Sequence, residues 1–423
     1  MQYRQMTRDQ LEQEYARVRA AYDALAAKGL SLNLARGKPA ADQLDLSNGL
    51  LHTLDDGDFT CDGTDVRNYG CVDGLPACKR LFADILGVKE QEVLAGGNAS
   101  LNLMYDLIAK AYTHGLLHSP RPWSQEPVVK FLCPAPGYDR HFHLSQSFGM
   151  ELITVPLRED GPDMDAVERL ALDPAVKGMW CVPKYSNPDG FVYSEAVCRR
   201  IAAMRTGAPD FALMWDNAYC IHEFDGPFVP FVEMLSLCRE MGNPDRVYEF
   251  ASTSKVTFAG AGVACLAASE ENLAHLVGLL TFQTIGFDKV NQLMHVRFLK
   301  DKAHTLAHMQ RHAAILKPKF DAVLRALDTL VAPTGTAEWH RPRGGYFISL
   351  YAMPGTAKRA LALCKQAGVT MTGAGATYPY GKDPDDSNIR IAPTYPTLPE
   401  LEQAAEVFCT SLCLAALEKL TGR

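Results

Sequence analysis

The sequence predicts an α/β fold whose sheet is mostly parallel and covered by helices, and two observations lead to this prediction. First, short apolar runs alternate with helical patterns through the middle of the chain, which favours parallel strands joined by crossover helices. Second, 423 residues are too many for one small core, so two or more subdomains are expected. The apolar runs are residues 128–132, 152–155, 178–182, 211–215, 247–250 and 263–267.

The first predicted element is an amphipathic helix over residues 8–28. Thr7 and Gln10 have the spacing of a capping box, and Gly29 stops the pattern. Between them the apolar residues recur at helical intervals, as Leu11, Tyr15, Val18, Tyr22 and Leu25. A loop-like stretch follows over 30–48, and a glycine-punctuated turn precedes a helix from about 75 to 86.

The C-terminal third predicts a second region of helices and strands. A long helical tract covers about 303–330, and residues 344–350 form an apolar run typical of a strand. Helices are predicted over 355–367 and 397–420, the second with Pro399 and Glu400 in its first turn. The sequence contains no internal repeat, no low-complexity segment and no linker that separates independent domains.

Composition excludes several classes of protein. A formal net charge of −7 gives no electrostatic reason to bind nucleic acid or an anionic membrane. The 12 cysteines are scattered without a CxxC pair, which indicates reduced thiols and a cytoplasmic location. The first residues lack the apolar core of a signal peptide, and no apolar run is long enough to span a bilayer.

The segment with the most chemical information is Ser252-Thr-Ser254-Lys255, at the end of the predicted strand 247–250. A lysine in that position can form a Schiff base with a carbonyl cofactor, and the flanking serines can bind a phosphate. Alone the signal is weak, because Ser-Lys pairs are common and most lysines are solvated surface residues.

Three further polar residues follow predicted strands, at the edge where open α/β sheets bind ligands. Asp216 could keep a pyridine nitrogen protonated, and Tyr219 could hydrogen-bond a ring hydroxyl. The alternative is that Asp216 caps a helix and Tyr219 lies at the edge of the core. Asn187 could bind the same ring oxygen, although Asn187-Pro188-Asp-Gly190 is also a common turn.

Three other segments could complete a binding site. Tyr138 lies on a loop where its ring could stack on a flat cofactor or simply cover the sheet end. Gly97-Asn98-Ala99-Ser100 precedes an apolar helix and could bind an anion through backbone N–H groups and a hydroxyl. Arg390 has the fork that matches a carboxylate, but a lone strand arginine more often forms a surface ion pair.

Other candidate motifs fail on spacing. Residues 375–382 resemble a phosphate loop, but five residues rather than four separate the two glycines. Gly260 and Gly262 lack the third glycine of a dinucleotide fingerprint. His141 and His143 could ligate a metal, yet no cysteine or carboxylate stands at suitable spacing, so we expect no metal.

In combination, these residues resemble class I aminotransferases of the fold-type I pyridoxal-phosphate enzymes. The resemblance covers about 34–396 and depends on the order of ten motifs: Gly37, Tyr69, Gly97–Ser100, Tyr138, Asn187, Asp216, Tyr219, Lys255, Gly344-Gly345 and Arg390. A finer similarity, carried by residues 36–39, 68–70 and 254–262, is to the divergent aspartate aminotransferases related to MocR-type regulator domains.

The resemblance implies a fold and a cofactor, pyridoxal 5'-phosphate. A mostly parallel seven-stranded sheet covered by helices would form the large cofactor-binding domain, over residues 51–302. A smaller α+β domain would comprise 303–423, with the N-terminal helix and arm of 1–50 as part of it. The chain would form a homodimer, in which Tyr69 reaches the cofactor phosphate of the neighbouring subunit.

Family membership would also assign roles to matched positions. Lys255 would bind the cofactor covalently and move the proton, Asp216 would pair with the pyridine nitrogen, and Asn187 and Tyr219 would face the ring hydroxyl. Tyr138 would stack on the ring. The phosphate would be held by Gly97, Asn98, Ala99, Ser100, Ser252 and Ser254. Arg390, helped by the Gly37 backbone, would bind the substrate α-carboxylate.

The sequence departs from the family in one place, because Val263 stands where many members carry a phosphate-binding arginine. The implied reaction is a ping-pong transfer from an L-amino acid, aspartate or glutamate, to a 2-oxo acid such as 2-oxoglutarate. A second carboxylate needs another cation, for which Arg36, Lys38 and Arg140 are candidates. The alternatives are another aminotransferase specificity, a β-lyase, or a non-enzymatic effector-sensing domain like that of MocR regulators.

Overall fold

The computed structural model describes residues 2–55 and 57–423. Its helices are α1 Arg8–Ala26, α2 Ala41–Asp45, α3 Pro76–Leu86, α4 Ser100–Thr113, α5 Asp139–Ser147, α6 Met164–Leu170, α7 Glu195–Ala203, α8 Met234–Glu240, α9 Glu270–Leu280, α10 Lys289–Leu299, α11 Lys302–Ala326, α12 Ala357–Gln366 and α13 Leu398–Thr421. Shorter 3-10 or π turns occur at Tyr3–Gln5, Asn48–His52, Glu90–Glu92, Trp123–Gln125, Leu327–Val331, Ala332–Thr334 and Pro379–Gly381.

Strands alternate with these helices along the chain. They are β1 Leu32–Asn33, β2 Thr60–Cys61, β3 Thr64–Asp65, β4 Val93–Ala95, β5 Lys130–Ala135, β6 Glu151–Arg158, β7 Gly161–Pro162, β8 Val176–Cys181, β9 Ala212–Asp216, β10 Val247–Ser252, β11 Ala264–Ala268, β12 Ala337–Trp339, β13 Ile348–Ala352, β14 Val369–Thr370 and β15 Asn388–Ile391.

The large sheet has the order β4-β11-β10-β9-β8-β5-β6-β7. From β10 to β6 every neighbouring pair is parallel, whereas β11 is antiparallel to both of its neighbours. Strands β8 and β9 are buried along their whole length, as expected for parallel strands covered on both faces. The predicted α/β fold is confirmed.

The sheet has eight strands rather than the seven that the resemblance implied. The additional strand, β7, has two residues and pairs with the end of β6 at the sheet edge. Two residues carry no hydrophobic period, so a sequence pattern does not reveal them.

A second group of elements packs around α13. This helix contacts α1, α11 and α12, and the antiparallel sheet β12-β13-β15 shares their apolar core. The predicted capping box of Thr7 and Gln10 begins α1, and the apolar residues of α1 face α13. Arg8 Nη2 donates to the carbonyl of Thr421 at 2.7 Å, so the start of α1 lies beside the end of α13.

The predicted strand 344–350 begins later, at Ile348, because Gly344 instead pairs with Glu223 as an isolated bridge and Gly345 bends the chain. Gly345 has a φ of +80°, and a Cβ at Gly344 would lie 2.5 Å from the ring of Tyr185. The predicted loop of 30–48 contains the short helix α2. Among the described residues, no helix is both long and apolar enough to cross a membrane.

Candidate active site

The carboxyl ends of the parallel strands meet at one edge of the large sheet, and a cavity of about 500 Å3 opens there. The lining brings together residues from the loops after β1, β5 and β8, from the end of β9, from the turns after β9 and β10, from α4 and from the segment before β13. These residues are Gly37, Ser100, Leu101, Met104, Tyr138, Val182, Asn187, Asp216, Ala218, Tyr219, Lys255 and Phe347.

Lys255 lies in the turn after β10, with its ammonium group between two aromatic rings. Nζ is 5.1 Å from the ring centroid of Tyr219 and 5.8 Å from that of Tyr346. Burial lowers the pKa of Lys255, and the nearby carboxylate of Asp216 only partly opposes this effect. The lowered pKa shifts the balance toward the neutral amine, which is the nucleophilic form of a lysine.

Asp216 is the last residue of β9 and is 4% exposed. Its Oδ2 accepts a hydrogen bond from His141 Nε2 at 2.9 Å, and its Oδ1 accepts one from the backbone N–H of Ala218 at 3.2 Å. The His141 ring stacks on Trp180 with centroids 4.2 Å apart and planes 9° from parallel. The carboxylate is thus fixed from a neighbouring element before any ligand binds.

His141 is a site residue whose role the sequence did not reveal, because it stood out only as a metal-ligand candidate. It follows Tyr138 by three residues, one helical turn, so the two side chains lie on the same side of α5. Their rings are 4.9 Å apart and nearly perpendicular. The three-residue spacing from Tyr138 is the one sequence feature that could have placed His141 near the site. Nothing in the sequence links His141 to Asp216.

Tyr138 and Tyr219 line the cavity with protonated phenols. Burial raises the pKa of Tyr138 to about 12, and burial also raises that of Tyr219 well above its usual value. Both hydroxyls therefore remain hydrogen-bond donors at neutral pH. Asn187 lies between them and Arg390, whose Nη1 donates to Asn187 Oδ1 at 3.3 Å.

Arg390 lies on β15, in the second group of elements, and contacts two residues that line the cavity, Asn187 and Phe347. Its guanidinium carbon is 4.9 Å from the ring centroid of Phe347, and the residue is 7% exposed. Nη1 also donates to Asp139 Oδ1 at 2.7 Å. The alternative prediction was an ion pair at the surface. Arg390 does form an ion pair, with Asp139, but the pair is largely buried and lies beside the cavity.

The predicted anion-binding residues converge at the start of α4. This helix begins at Ser100, and the side chain of its cap residue, Ala99, accepts no hydrogen bond. Ser252 Oγ donates to Ser254 Oγ at 3.1 Å, and Ser254 Oγ donates to the carbonyl of Asn98 at 3.3 Å. Gly97 has a φ of +69°, a conformation that favours glycine, and it lies three residues before the first residue of α4.

Three residues that the sequence analysis singled out do not line the cavity. Tyr69 is 79% exposed, and Arg36 is also exposed. Val263, the position where many family members carry arginine, is 1% exposed, and its side chain belongs to the core beneath the sheet. An arginine at this position would need a different side-chain direction from the one that valine takes here.

A group of buried histidines lies behind the lysine segment. His308 Nε2 donates to the carbonyl of Val256 at 2.8 Å and lies 3.2 Å from His312 Nε2. His222 is 2% exposed, and both of its ring nitrogens lack a hydrogen-bond partner. Burial lowers the pKa of all three imidazoles, that of His312 to about 4, so they are neutral at physiological pH.

A larger cavity, of about 650 Å3, lies at the opposite edge of the sheet. Its lining includes Asp210, Phe211, Asp245 and Arg246, which precede β9 and β10. Size alone does not identify the active site here, because ligands of open α/β sheets bind beyond the carboxyl ends of strands. The smaller cavity is the one that contains Lys255.

The family model described as "Aspartate amino-transferase" matches residues 6–423. The chain belongs to this family. A curated relative, the aspartate aminotransferase of Corynebacterium glutamicum, is 48% identical over 95% of this chain and 93% of its own. A crystal structure of an aspartate transaminase from the same species superposes with a TM-score of 0.97 at 46% identity, and covers 99% of both chains.

A more distant solved structure shows the same fold. The α-aminoadipate aminotransferase of Thermus thermophilus, complexed with N-(5'-phosphopyridoxyl)-L-leucine, has a TM-score of 0.72 at 22% identity. It covers 93% of this chain and 95% of its own. The protein is an aminotransferase, and its cofactor is pyridoxal 5'-phosphate, as the sequence predicted.

The cavity fits this cofactor on its own evidence. It combines a lysine amine that has no hydrogen-bond partner among the described residues, an oriented carboxylate at Asp216 and a serine-lined helix N-terminus. A flat aldehyde with a phosphate group needs these three features.

Proposed function

We propose that this aminotransferase moves the amino group of aspartate or glutamate to a 2-oxo acid such as 2-oxoglutarate, by a ping-pong mechanism. The observation that carries the proposal is that Lys255 and Asp216 line one cavity, while Arg390 lies next to its lining residue Asn187, with Nη1 donating to Asn187 Oδ1 at 3.3 Å. The identity to a relative named an aspartate aminotransferase supports the choice of substrate.

Pyridoxal phosphate, when bound, supplies an electron sink for the charge that develops at the substrate Cα. In our proposal, Lys255 would bind its aldehyde and Asp216 would pair with the pyridine nitrogen. Asn187 and Tyr219 would hold the ring hydroxyl, and Tyr138 would pack against the ring. The hydrogen bond from His141 supports this assignment, since it holds the Asp216 carboxylate in one orientation.

The phosphate would bind Gly97, Asn98, Ala99 and Ser100, together with Ser252 and Ser254. Lys255 is the one cation among the described residues that line the cavity, so the charge of the phosphate would be balanced mainly by hydroxyl and N–H donors. The proposal includes Tyr69 of a second subunit as a further donor, because its exposed side chain is free to contact another chain.

Lys255 also moves the proton in our proposal. Burial lowers the pKa of this amine, and a lowered pKa favours the neutral form that could accept the Cα proton. Arg390 and the Gly37 backbone would hold the α-carboxylate meanwhile. A Cβ at Gly37 would lie 2.4 Å from Phe347, so only glycine allows the backbone this close to the cavity wall.

The second carboxylate of aspartate would bind one of three exposed cations, Arg36, Lys38 or Arg140. None of them forms an ion pair with a described carboxylate, and Lys38 Nζ lies 3.9 Å from the ring centroid of Tyr395. Each of the three residues is replaced by alanine in turn. Loss of the one that binds the second carboxylate should lower kcat/KM for the substrate aspartate by about 10-fold or more. The kcat/KM for the substrate L-alanine, which has no second carboxylate, should be nearly unchanged.

The proposal extends to the assembly and its setting. A homodimer in the cytoplasm agrees with the exposed Tyr69 and with 12 cysteines that form no disulfide. We also propose the division into 1–50, 51–302 and 303–423, with the first part joined to the third. The shared apolar core of α1 and α13 supports that last assignment.

Two experiments test the function. Borohydride reduction of the coloured protein, followed by peptide mapping, should label Lys255, and label on another lysine would contradict the assignment. Steady-state assays with a panel of amino acids and 2-oxo acids should give the highest kcat/KM for aspartate or glutamate. Release of ammonia and a 2-oxo acid without an acceptor would favour a β-lyase instead.

A further inference from the structure

The guanidinium of Arg390 is already engaged before any substrate binds. Nη1 carries two hydrogens, and the two oxygens that accept from it are Asp139 Oδ1 at 2.7 Å and Asn187 Oδ1 at 3.3 Å. Nε is buried without a partner, and Nη2 donates to no oxygen of the described residues. The Nη2 hydrogens are therefore uncommitted among the described residues and are left for an incoming carboxylate, whereas Nε is buried.

Asp139 is well placed to balance the charge of Arg390. It is the first residue of α5, where the helix N-terminus favours a negative charge, and its side chain is 18% exposed. A buried guanidinium without a counter-ion is costly, so the pair stabilises the substrate-free site. Asn187 supplies a neutral oxygen and cannot replace that charge.

We propose that Asp139 is a positioning residue that fixes Arg390 and also limits how tightly it binds a substrate carboxylate. This inference rests on the proposed role of Arg390. When a carboxylate binds, two anions share one guanidinium, and their mutual repulsion weakens the complex. The neighbouring charges on α5 and β9, Arg140 and Asp216, are common to the free and bound site.

A limited affinity has a consequence for the reaction. Both half-reactions admit one carboxylic acid and must release another through the same clamp. A guanidinium without a resident counter-ion would bind each product carboxylate for longer. Asp139 therefore favours release of the product and binding of the next substrate. The residue thereby adjusts KM and product release rather than the proton transfer.

The test uses two substitutions that separate charge from hydrogen bonding. Asp139→Asn keeps an oxygen that accepts from Nη1 but removes the negative charge, whereas Asp139→Ala removes both. Binding of succinate to the holoenzyme is measured by titration calorimetry at constant ionic strength. We expect Asp139→Asn to bind succinate about 10-fold more tightly than the unsubstituted protein. Asp139→Ala should bind it more weakly than Asp139→Asn, because Arg390 loses its anchor.

Two controls identify the source of any change. Asp23→Asn removes an aspartate that pairs with Arg19 at 3.0 Å on exposed α1, and it should leave succinate binding unchanged. Methoxyamine reacts with an aldehyde but has no carboxylate, so its titration by absorbance should be equal in all variants. Added salt should reduce the difference between Asp139→Asn and the unsubstituted protein.

The outcomes separate this inference from the proposed function. If Arg390→Lys weakens succinate binding but Asp139→Asn leaves it unchanged or weaker, the role of Asp139 is overturned and that of Arg390 stands. If Arg390→Lys has no effect, the proposed carboxylate site is wrong, and the inference about Asp139 is overturned with it.

Discussion

Buried charged side chains lie at both ends of the strands of the large sheet, the amino edge and the carboxyl edge, but their hydrogen bonding differs. At the amino edge, Asp210 accepts hydrogen bonds from Lys177 Nζ at 2.9 Å, Trp123 Nε1 at 2.8 Å and Ser119 Oγ at 2.6 Å. At the carboxyl edge, the amine of Lys255 has no hydrogen-bond partner among the described residues. A buried charge whose hydrogen bonds are all made stabilises the packing of the strands. A buried amine without a hydrogen-bond partner remains available for a reaction.

The most severe test of this difference is Lys255→Ala. Loss of the nucleophile and base should lower kcat by about 10⁴-fold or more. The fold should be kept, because removal of a buried amine whose pKa is lowered relieves a desolvation cost. Steady-state assays and thermal unfolding measure the two effects, and near-normal turnover would refute the assignment.

The matching substitution at the amino edge is Asp210→Ala. It leaves the ammonium of Lys177, 4% exposed, with only a longer contact to Glu126 at 3.3 Å. We expect a loss of about 3–5 kcal/mol in the free energy of unfolding, measured with urea. The kcat at 25 °C should be nearly unchanged, and a large fall in kcat without destabilisation would remove the contrast between the edges.

A smaller effect on activity is expected at His141, which holds the Asp216 carboxylate through a hydrogen bond. His141→Leu removes the donor to Asp216 Oδ2 but keeps an apolar contact with Trp180. We expect kcat to fall by about 10–100-fold through misplacement of the carboxylate. His141→Gln, which keeps a donor, should recover part of the activity, and equal activity in both variants would contradict a role through this hydrogen bond.

The smallest effect is expected from Glu249, which lies under the site on β10. Burial raises its pKa from 4.5 to about 8, and Asn217 Nδ2 donates to its Oε1 at 2.7 Å. Between pH 4.5 and about 8 the folded state therefore binds more protons than the unfolded state, so stability falls as pH rises through this window.

Glu249→Gln should remove that dependence. The variant should match the unsubstituted protein near pH 5 and be more stable by roughly 1–3 kcal/mol near pH 9. Melting temperatures over the pH range measure this difference. A constant offset at every pH would show that Glu249 is ionised throughout.

Much of the fold could be predicted because its signals are local. The capping box of α1, the apolar runs of β8 and β9, and the polar residues just beyond strands all lie within a few positions of each other. The position of Asp216 at a strand end and of Lys255 just beyond one followed from these runs, since parallel strands end at the same edge.

The parts that could not be predicted depend on contacts between distant segments. Asp139 and Arg390 are 251 positions apart, and His141 and Asp216 are 75 apart. Neither pair has a sequence signal, because each is formed by the packing of separate elements. The roles of Tyr69 and Arg36 stay predictions for a related reason, since an exposed side chain acquires meaning only from what contacts it.

The pairing of α1 with α13 has a consequence for synthesis. Helix α1 leaves the ribosome before every strand of both sheets, and α13 follows all of them. The apolar face of α1, with Leu11, Val18, Tyr22 and Leu25, therefore lacks its contacts with α13 until that helix has been synthesised. During that interval the nascent chain exposes part of this apolar face, and transiently exposed apolar surface is prone to aggregation.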